Sequence, residues 1–328
     1  MKNDKIEILD SLRAFAAISV CIFHFVCTTT GYVQTKLILD IFSVGKYGVQ
    51  LFFVISGFVI PWAMYSAGFK FSDFSKFLLK RLARLEPPYV FSVILVLMVL
   101  LSREYFFGLQ NTHIEISIKQ VFLHFGYLIP FFENYQWLNE VYWTLAIEFQ
   151  YYFFIALLFI PLIHSNLIYR ILIGAGIVGL SFIGSREFLP YWLPVFYIGI
   201  ITFMFNVNHL NKKEFYLTLF FLISFCLYKY PFPSVVYMLI PVIAILFFAN
   251  YKIPVLNFFG KMSYSIYLIH PIIGASLINI LSHRYTDPLG KITVILTGTI
   301  VTLISSYAMY LLIENPSKKL SASIKYKS

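Results

Sequence analysis

Four ionisable side chains sit inside or at the edge of long apolar runs: Arg13, His24, Glu148 and His270. Charge within an apolar span is costly, so such residues are read first as functional. Arg13 and His24 are eleven positions apart. Eleven residues of α-helix turn through about 1100°, three turns plus ~20°, and rise ~16 Å. The two side chains are therefore expected on one helix face, the guanidinium near a membrane edge and the imidazole deeper. A guanidinium there can hold phosphate oxygens. An imidazole further along the same groove can act as general base or acyl acceptor. The spacing suits an elongated donor with an anionic head and a reactive far end. It also allows a bland alternative, in which Arg13 snorkels to lipid headgroups and His24 is a hydrogen-bonded core residue.

Glu148 lies in Trp143-Thr-Leu-Ala-Ile-Glu148-Phe-Gln-Tyr-Tyr152, near the start of an apolar run. A carboxylate there needs a partner, such as His24, an arginine or a substrate hydroxyl. His270 follows Tyr264 and Tyr267 and precedes Pro271, which would kink a helix and free a backbone carbonyl nearby. Segment 69–89 is amphipathic, and its Lys76, Lys80, Arg81 and Arg84 can cluster at helical spacing. Such a patch can hold the phosphates of a nucleotide-like donor or lie on anionic lipid. Ser56 and Gly57 are small residues in an apolar run and are expected to serve close helix packing. Cys21, Cys27 and Cys226 are scattered through apolar runs and read as small hydrophobes, not as a disulfide framework. His24 and Glu148 lack an evident third ligand, so no metal is expected.

The elements that must position these residues are membrane spans. The chain has 328 residues, 59% hydrophobic and 12% charged, with a mean hydropathy of +0.79. An ordinary soluble domain carries about 45–50% apolar and about 25% charged residues. Apolar runs near the ~20 residues needed to cross a bilayer recur along the whole length. They are continuous, not alternating, which favours a helical bundle over a β-barrel. The expected fold is all-α, a polytopic bundle of about ten spans at 8–30, 45–67, 88–102, 141–163, 167–184, 190–206, 215–230, 232–250, 262–282 and 291–313. Segment 119–132 is apolar but short, and is expected as an interfacial or re-entrant helix. No internal repeat or low-complexity linker divides the chain, so it reads as one domain over 1–328 with its core at 8–316. The first run lacks a small-residue cleavage site and is expected to remain as a span. The net charge is +10, but no polar face interleaves basic and aromatic residues, so nucleic acid is a poor partner. With the N-terminus inside and ten spans alternating, sixteen of the 25 lysines and arginines fall in cytoplasmic segments and eight outside. That bias predicts both termini in the cytoplasm.

Several ordered blocks carry a resemblance. They are Leu9-Asp10-Ser11-Leu12-Arg13-Ala14 through His24; Gly48 through Phe58; Arg81, Arg84 and Pro87; Trp143 through Glu148 with Tyr152; Gly260 through Tyr264 with Tyr267, His270 and Pro271; and Glu314-Asn315-Pro316. On these blocks, which span residues 9 to 316, the chain resembles the acyltransferase-3 family of integral-membrane acyltransferases. Gln50 stands where that family often has an acidic residue, and Glu86 lies within its basic loop.

The resemblance implies a multi-pass protein of the bacterial inner membrane. Such a protein moves an acyl group, expected to be acetyl, from cytoplasmic acyl-CoA to a hydroxyl of a cell-envelope sugar. The acceptor would be an O-antigen of lipopolysaccharide, a capsule, an exopolysaccharide or a similar lipid-linked glycan. Acyl-CoA enters as a co-substrate, with no permanently bound cofactor expected. By the same resemblance His24 and Arg13 are catalytic and Arg81 and Arg84 bind the donor. Glu148 is expected to orient His24 or the sugar hydroxyl. Trp143, Tyr264 and His270 are candidate substrate-site residues. Some members carry an extracytoplasmic hydrolase-like domain; this chain is expected to act without one. Composition alone also fits a transporter or flippase of a lipid-linked glycan, although a carrier more often shows matching pseudo-repeats, and none is evident.

Overall fold

Leucine, isoleucine and phenylalanine runs without alternation leave the backbone one way to satisfy its polar groups in an apolar medium, which is to close them within helices. The computed structural model describes residues 6–29, 31–107, 116–164 and 166–326. Residues 108–115 of the predicted outer loop and both extreme ends lie outside that description, as does residue 30 at the end of the first predicted span. The helices are α1 (Ile8–Phe23), α2 (Lys36–Ser43), α3 (Gly48–Ser66), α4 (Phe74–Phe107), α5 (Ile118–Phe125), α6 (Tyr142–His164), α7 (Leu167–Leu180) and α8 (Leu189–Asn206). They continue as α9 (Lys212–Lys229), α10 (Phe232–Phe248), α11 (Pro254–Lys261), α12 (Ser263–Ile269), α13 (Ser276–Ser282), α14 (Pro288–Met309) and α15 (Asn315–Ser323).

Seven helical stretches among the described residues are long and apolar enough to cross a membrane: Ile8–Thr28, Lys36–Ser66, Phe71–Ser102, Tyr142–Ile163, Leu189–Asn206, Ser263–Ser282 and Pro288–Ser323. The other three predicted spans also fall on helices. Two of these, α7 and α10, have only 14 and 17 residues. The third, α9, has 18 but carries Lys212, Lys213, Glu214 and Lys229. The structure is thus a polytopic helical bundle whose length and apolarity support seven crossings where about ten were expected.

The amphipathic segment at 69–89 and the span expected at 88–102 are continuous from Phe74 onward. One helix, α4, runs 34 residues straight through Pro87 and Pro88. At ~1.5 Å per residue it is about 51 Å long, well beyond the ~30 Å hydrocarbon slab. Its first turns, with Lys80, Arg81 and Arg84, can therefore stand outside the slab. The segment at 118–131, overlapping the stretch 119–132 expected as an interfacial or re-entrant helix, is a short helix and a 3-10 turn, with Ile118 and Phe122 exposed and His124 buried.

Helices α3 and α8 cross closely. A Cβ on Gly57 would press on Phe196 O, and one on Gly199 on Val54 O, so glycine lets the two backbones touch. The sequence expectation for Ser56-Gly57 therefore divides: Gly57 serves packing, whereas Ser56 bonds a carboxylate. Helix α1 is tied to α11, its Ser11 Oγ donating to Asn257 Oδ1 at 2.5 Å.

Three short π-helical stretches interrupt the bundle: His24–Thr28 after α1, His270–Ala275 after α12 and Tyr310–Glu314 after α14. Such distortions recur at functional sites because they re-aim side chains and free carbonyls.

Candidate active site

A cavity of about 610 Å³ opens between α1, α3, α4, α6, α12 and the α14–α15 segment. Six cations line it (Arg13, Lys80, Arg81, Arg84, Lys261 and Lys318), against three carboxylates, Asp10, Glu148 and Glu314. The difference, six minus three, is an excess of three positive charges. Arg81 lies over the rings of Phe77 and Tyr152, at 5.1 and 5.7 Å, and its Nε is buried without a partner. Planar stacking holds a guanidinium in place while leaving its edge free to bind anions. Arg13 Nη1 is 3.7 Å from Asp10 Oδ1.

Glu314, 1% exposed, organises one wall. It accepts from Ser265 N–H and Oγ, at 3.1 and 2.6 Å, and pairs with Lys318 Nζ at 2.6 Å. Lys80 Nζ donates to the carbonyls of Ser321 and Ile324, so the chain beyond α14 is fastened across α4. Deeper in, Glu148 Oε1 accepts from Ser56 Oγ at 3.1 Å and Tyr152 OH at 2.6 Å.

The cavity ends against two aromatic side chains, Phe52 and Tyr267, whose rings meet edge to face at 5.8 Å. Beyond them stand the histidines. Tyr267 is 6.0 Å from His270, and His270 is 5.1 Å from His24, ring to ring. His270 is fully buried, with Nδ1 bonded to Ile266 O at 3.1 Å and Nε2 left without a partner. His24 opens a π-helical stretch, and its carbonyl accepts from both Thr28 Oγ1 and Thr29 Oγ1 at 2.9 Å. Its Nδ1 lies 3.3 Å from Thr28 Oγ1 and 3.9 Å from Glu140 Oε2. The Glu140 side chain is 70% exposed, so this end of the site faces outward.

The profile of the acyltransferase domain family matches residues 6–311, nearly the whole chain. The chain belongs to that family. It is also 30% identical over 291 residues to a proposed acetyltransferase, ORF330, of Acidianus two-tailed virus, an alignment covering 79% of this chain and 80% of that one. No solved structure matches. Membership makes the protein an acyltransferase and sets aside the carrier alternative. The relative is viral and lends nothing to the bacterial source suggested by the sequence.

In this acyltransferase, Arg13, Arg81, Arg84, Glu148 and Tyr264 line one cation-rich cavity. His24 does not line it; the Phe52–Tyr267 pair fills the space between. Glu148 is not the carboxylate that faces His24. Its hydrogen bonds go to Ser56 and Tyr152, and Glu140 faces the imidazole instead. Trp143 packs against Trp192 and Phe53, at 5.6 and 6.5 Å, as part of the aromatic core. Tyr264 lines the cavity and donates to Leu85 O at 3.1 Å. His270 does neighbour the site, beside His24. Sequence reasoning missed Glu140, Lys318 and the Phe52–Tyr267 pair. Lys318 had a signal, being four residues past Glu314 on a helix.

Proposed function

We propose that this acyltransferase carries an acyl group, acetyl in the simplest case, from acyl-CoA to a hydroxyl of a cell-envelope sugar. The donor docks at the cation-rich end, which we place at the cytoplasmic face, and the sugar meets His24 at the other. The observation that carries this is the ordering of charge along α1: a cavity with three excess positive charges at Arg13, then an aromatic wall, then the histidine pair. The nucleotide end of acyl-CoA is a compact polyphosphate, and guanidinium groups suit its oxygens. Arg81 and Arg84 hold those phosphates with help from Arg13. The pantetheine arm runs past Glu148, whose carboxylate suits an amide N–H, and displaces the Phe52 ring to bring the thioester to His24.

His24 then takes the proton of the sugar hydroxyl as the oxygen attacks the thioester carbonyl. The C–S bond breaks, and the imidazolium returns its proton to the departing thiolate. Glu140 beside Nδ1 orients the ring and steadies its charged form, which favours a base over a first acyl acceptor. The test is transfer of label from radiolabelled acetyl-CoA to envelope glycan by the purified protein in nanodiscs. We expect labelled glycan, and a loss of ~10²- to 10⁴-fold in His24→Ala with membrane insertion intact. Undiminished labelling by His24→Ala, or no label in glycan from the unaltered protein, would overturn the proposal.

A further inference from the structure

A second cavity, about 760 Å³, lies between α7, α8 and α9 and shares no lining residue with the first. Helix α8 forms its floor through Tyr197, Ile201 and Met204. Helices α7 and α9 form the walls; both pack on α8 and scarcely on each other. One end is shut, where Phe182 meets Phe225 at 5.5 Å and Lys229 Nζ donates to Ser181 O. The other end is polar, lined by Arg170, Asn211, Lys213 and Glu214. Arg170 Nη1 donates to His209 O at 2.6 Å and Nη2 is 3.7 Å from Glu214 Oε1, yet Nε has no partner. From Glu214 to Phe225 is eleven residues of helix, or ~16 Å. The cavity is therefore a blind apolar slot with a cationic mouth.

We propose that this slot binds one acyl chain of an anionic glycerophospholipid, with the phosphodiester at Arg170 and Lys213. Charge selects the headgroup. Two cations against the single Glu214 carboxylate leave one positive charge, which one phosphodiester neutralises. The helix starts add to it: Asn166 caps α7 and Asn211 caps α9, so the positive ends of two helix dipoles lie at the same end as the mouth. The apolar walls select the occupant of the slot itself, because water there would find few polar partners whereas a hydrocarbon chain fills the space with dispersion contacts. The slot does not touch the residues assigned to acyl transfer, so the lipid is a structural or regulatory ligand and not the acceptor.

The test is native mass spectrometry of the full-length protein released from nanodiscs of equimolar phosphatidylglycerol and phosphatidylcholine. One phosphatidylglycerol should be retained in preference. Lys213→Gln, at an exposed position, should weaken that retention about fivefold, and Arg170→Gln together with Lys213→Gln about twenty-five-fold. Ala175→Trp, on the exposed wall, should expel the lipid while leaving the mouth charges unchanged. Equal retention of the two lipids overturns the proposal, as does unaltered retention in Lys213→Gln. So does displacement of phosphatidylglycerol by an equal amount of added isoprenyl phosphate, which would make the slot a site for a carrier lipid.

Discussion

His24 and Glu140 pair an imidazole with an exposed carboxylate, 3.9 Å apart. Because Glu140 touches His24 and not the donor cavity, Glu140→Gln should lower kcat about fivefold, the worth of an exposed ion pair, and leave the donor KM unchanged. Steady-state kinetics with varied acyl-CoA decides this; a raised donor KM would assign Glu140 to binding. The opposite split is expected at the other end. Arg81→Ala with Arg84→Ala should raise the donor KM at least about tenfold, since each removes charge-assisted hydrogen bonds, with kcat little changed. An unaltered KM would leave those arginines to lipid headgroups. Much of this chemistry was legible from residue type, because Arg13, Glu148 and His270 are conspicuous where their neighbours are apolar. Glu140 was not. It sits in a polar stretch where a carboxylate costs nothing, far along the chain from His24, and only the fold brings them together.

Helices were legible at the scale of elements because a continuous apolar run leaves the backbone no alternative. Their joints were less so. Pro87 and Pro88 each lack a donor, yet α4 passes through both, with Tyr89 OH and Ser92 Oγ bonding to neighbouring segments just beyond. The π-helical stretches at His24 and His270 have no composition signal apart from Pro271. The connecting element at 118–138 is held by one neutral imidazole. His124 Nδ1 donates to Gln120 O at 2.8 Å and Nε2 accepts from Leu138 N–H at 2.9 Å. Burial lowers its pKa from the ordinary 6.5, partly opposed by the Gln120 bond. The fold therefore prefers the neutral ring. That preference stabilises the element fully above pH ~6.5 and is lost as pH falls through the lowered folded value. Hydrogen exchange at the Leu138 amide, corrected for intrinsic rate, should accelerate below that pH in the native protein. In His124→Gln the corrected rate should not vary with pH; an equal acceleration there would clear the imidazole of the effect.

The whole molecule is a helical bundle, with a cation-rich cavity at one end of α1 and an exposed carboxylate beside a histidine at the other. Composition foretold the bundle, because nothing else disposes of so much apolar surface. It marked about ten spans where seven described stretches are long and apolar enough to cross, since apolarity marks α7 and α10 without showing that each is short. The Phe52–Tyr267 contact could not be foreseen, being two ordinary aromatic residues on helices far apart in sequence. Phe52→Ala should make proteoliposomes lose a proton gradient faster than those holding the unaltered protein, followed with an entrapped pH dye; equal decay would place the barrier elsewhere. Under the proposed reaction the enzyme would take one substrate from each side of a membrane, a single step away from being a pore. In that scheme the two touching rings would keep ions from following the acyl group across the bilayer in which the enzyme sits.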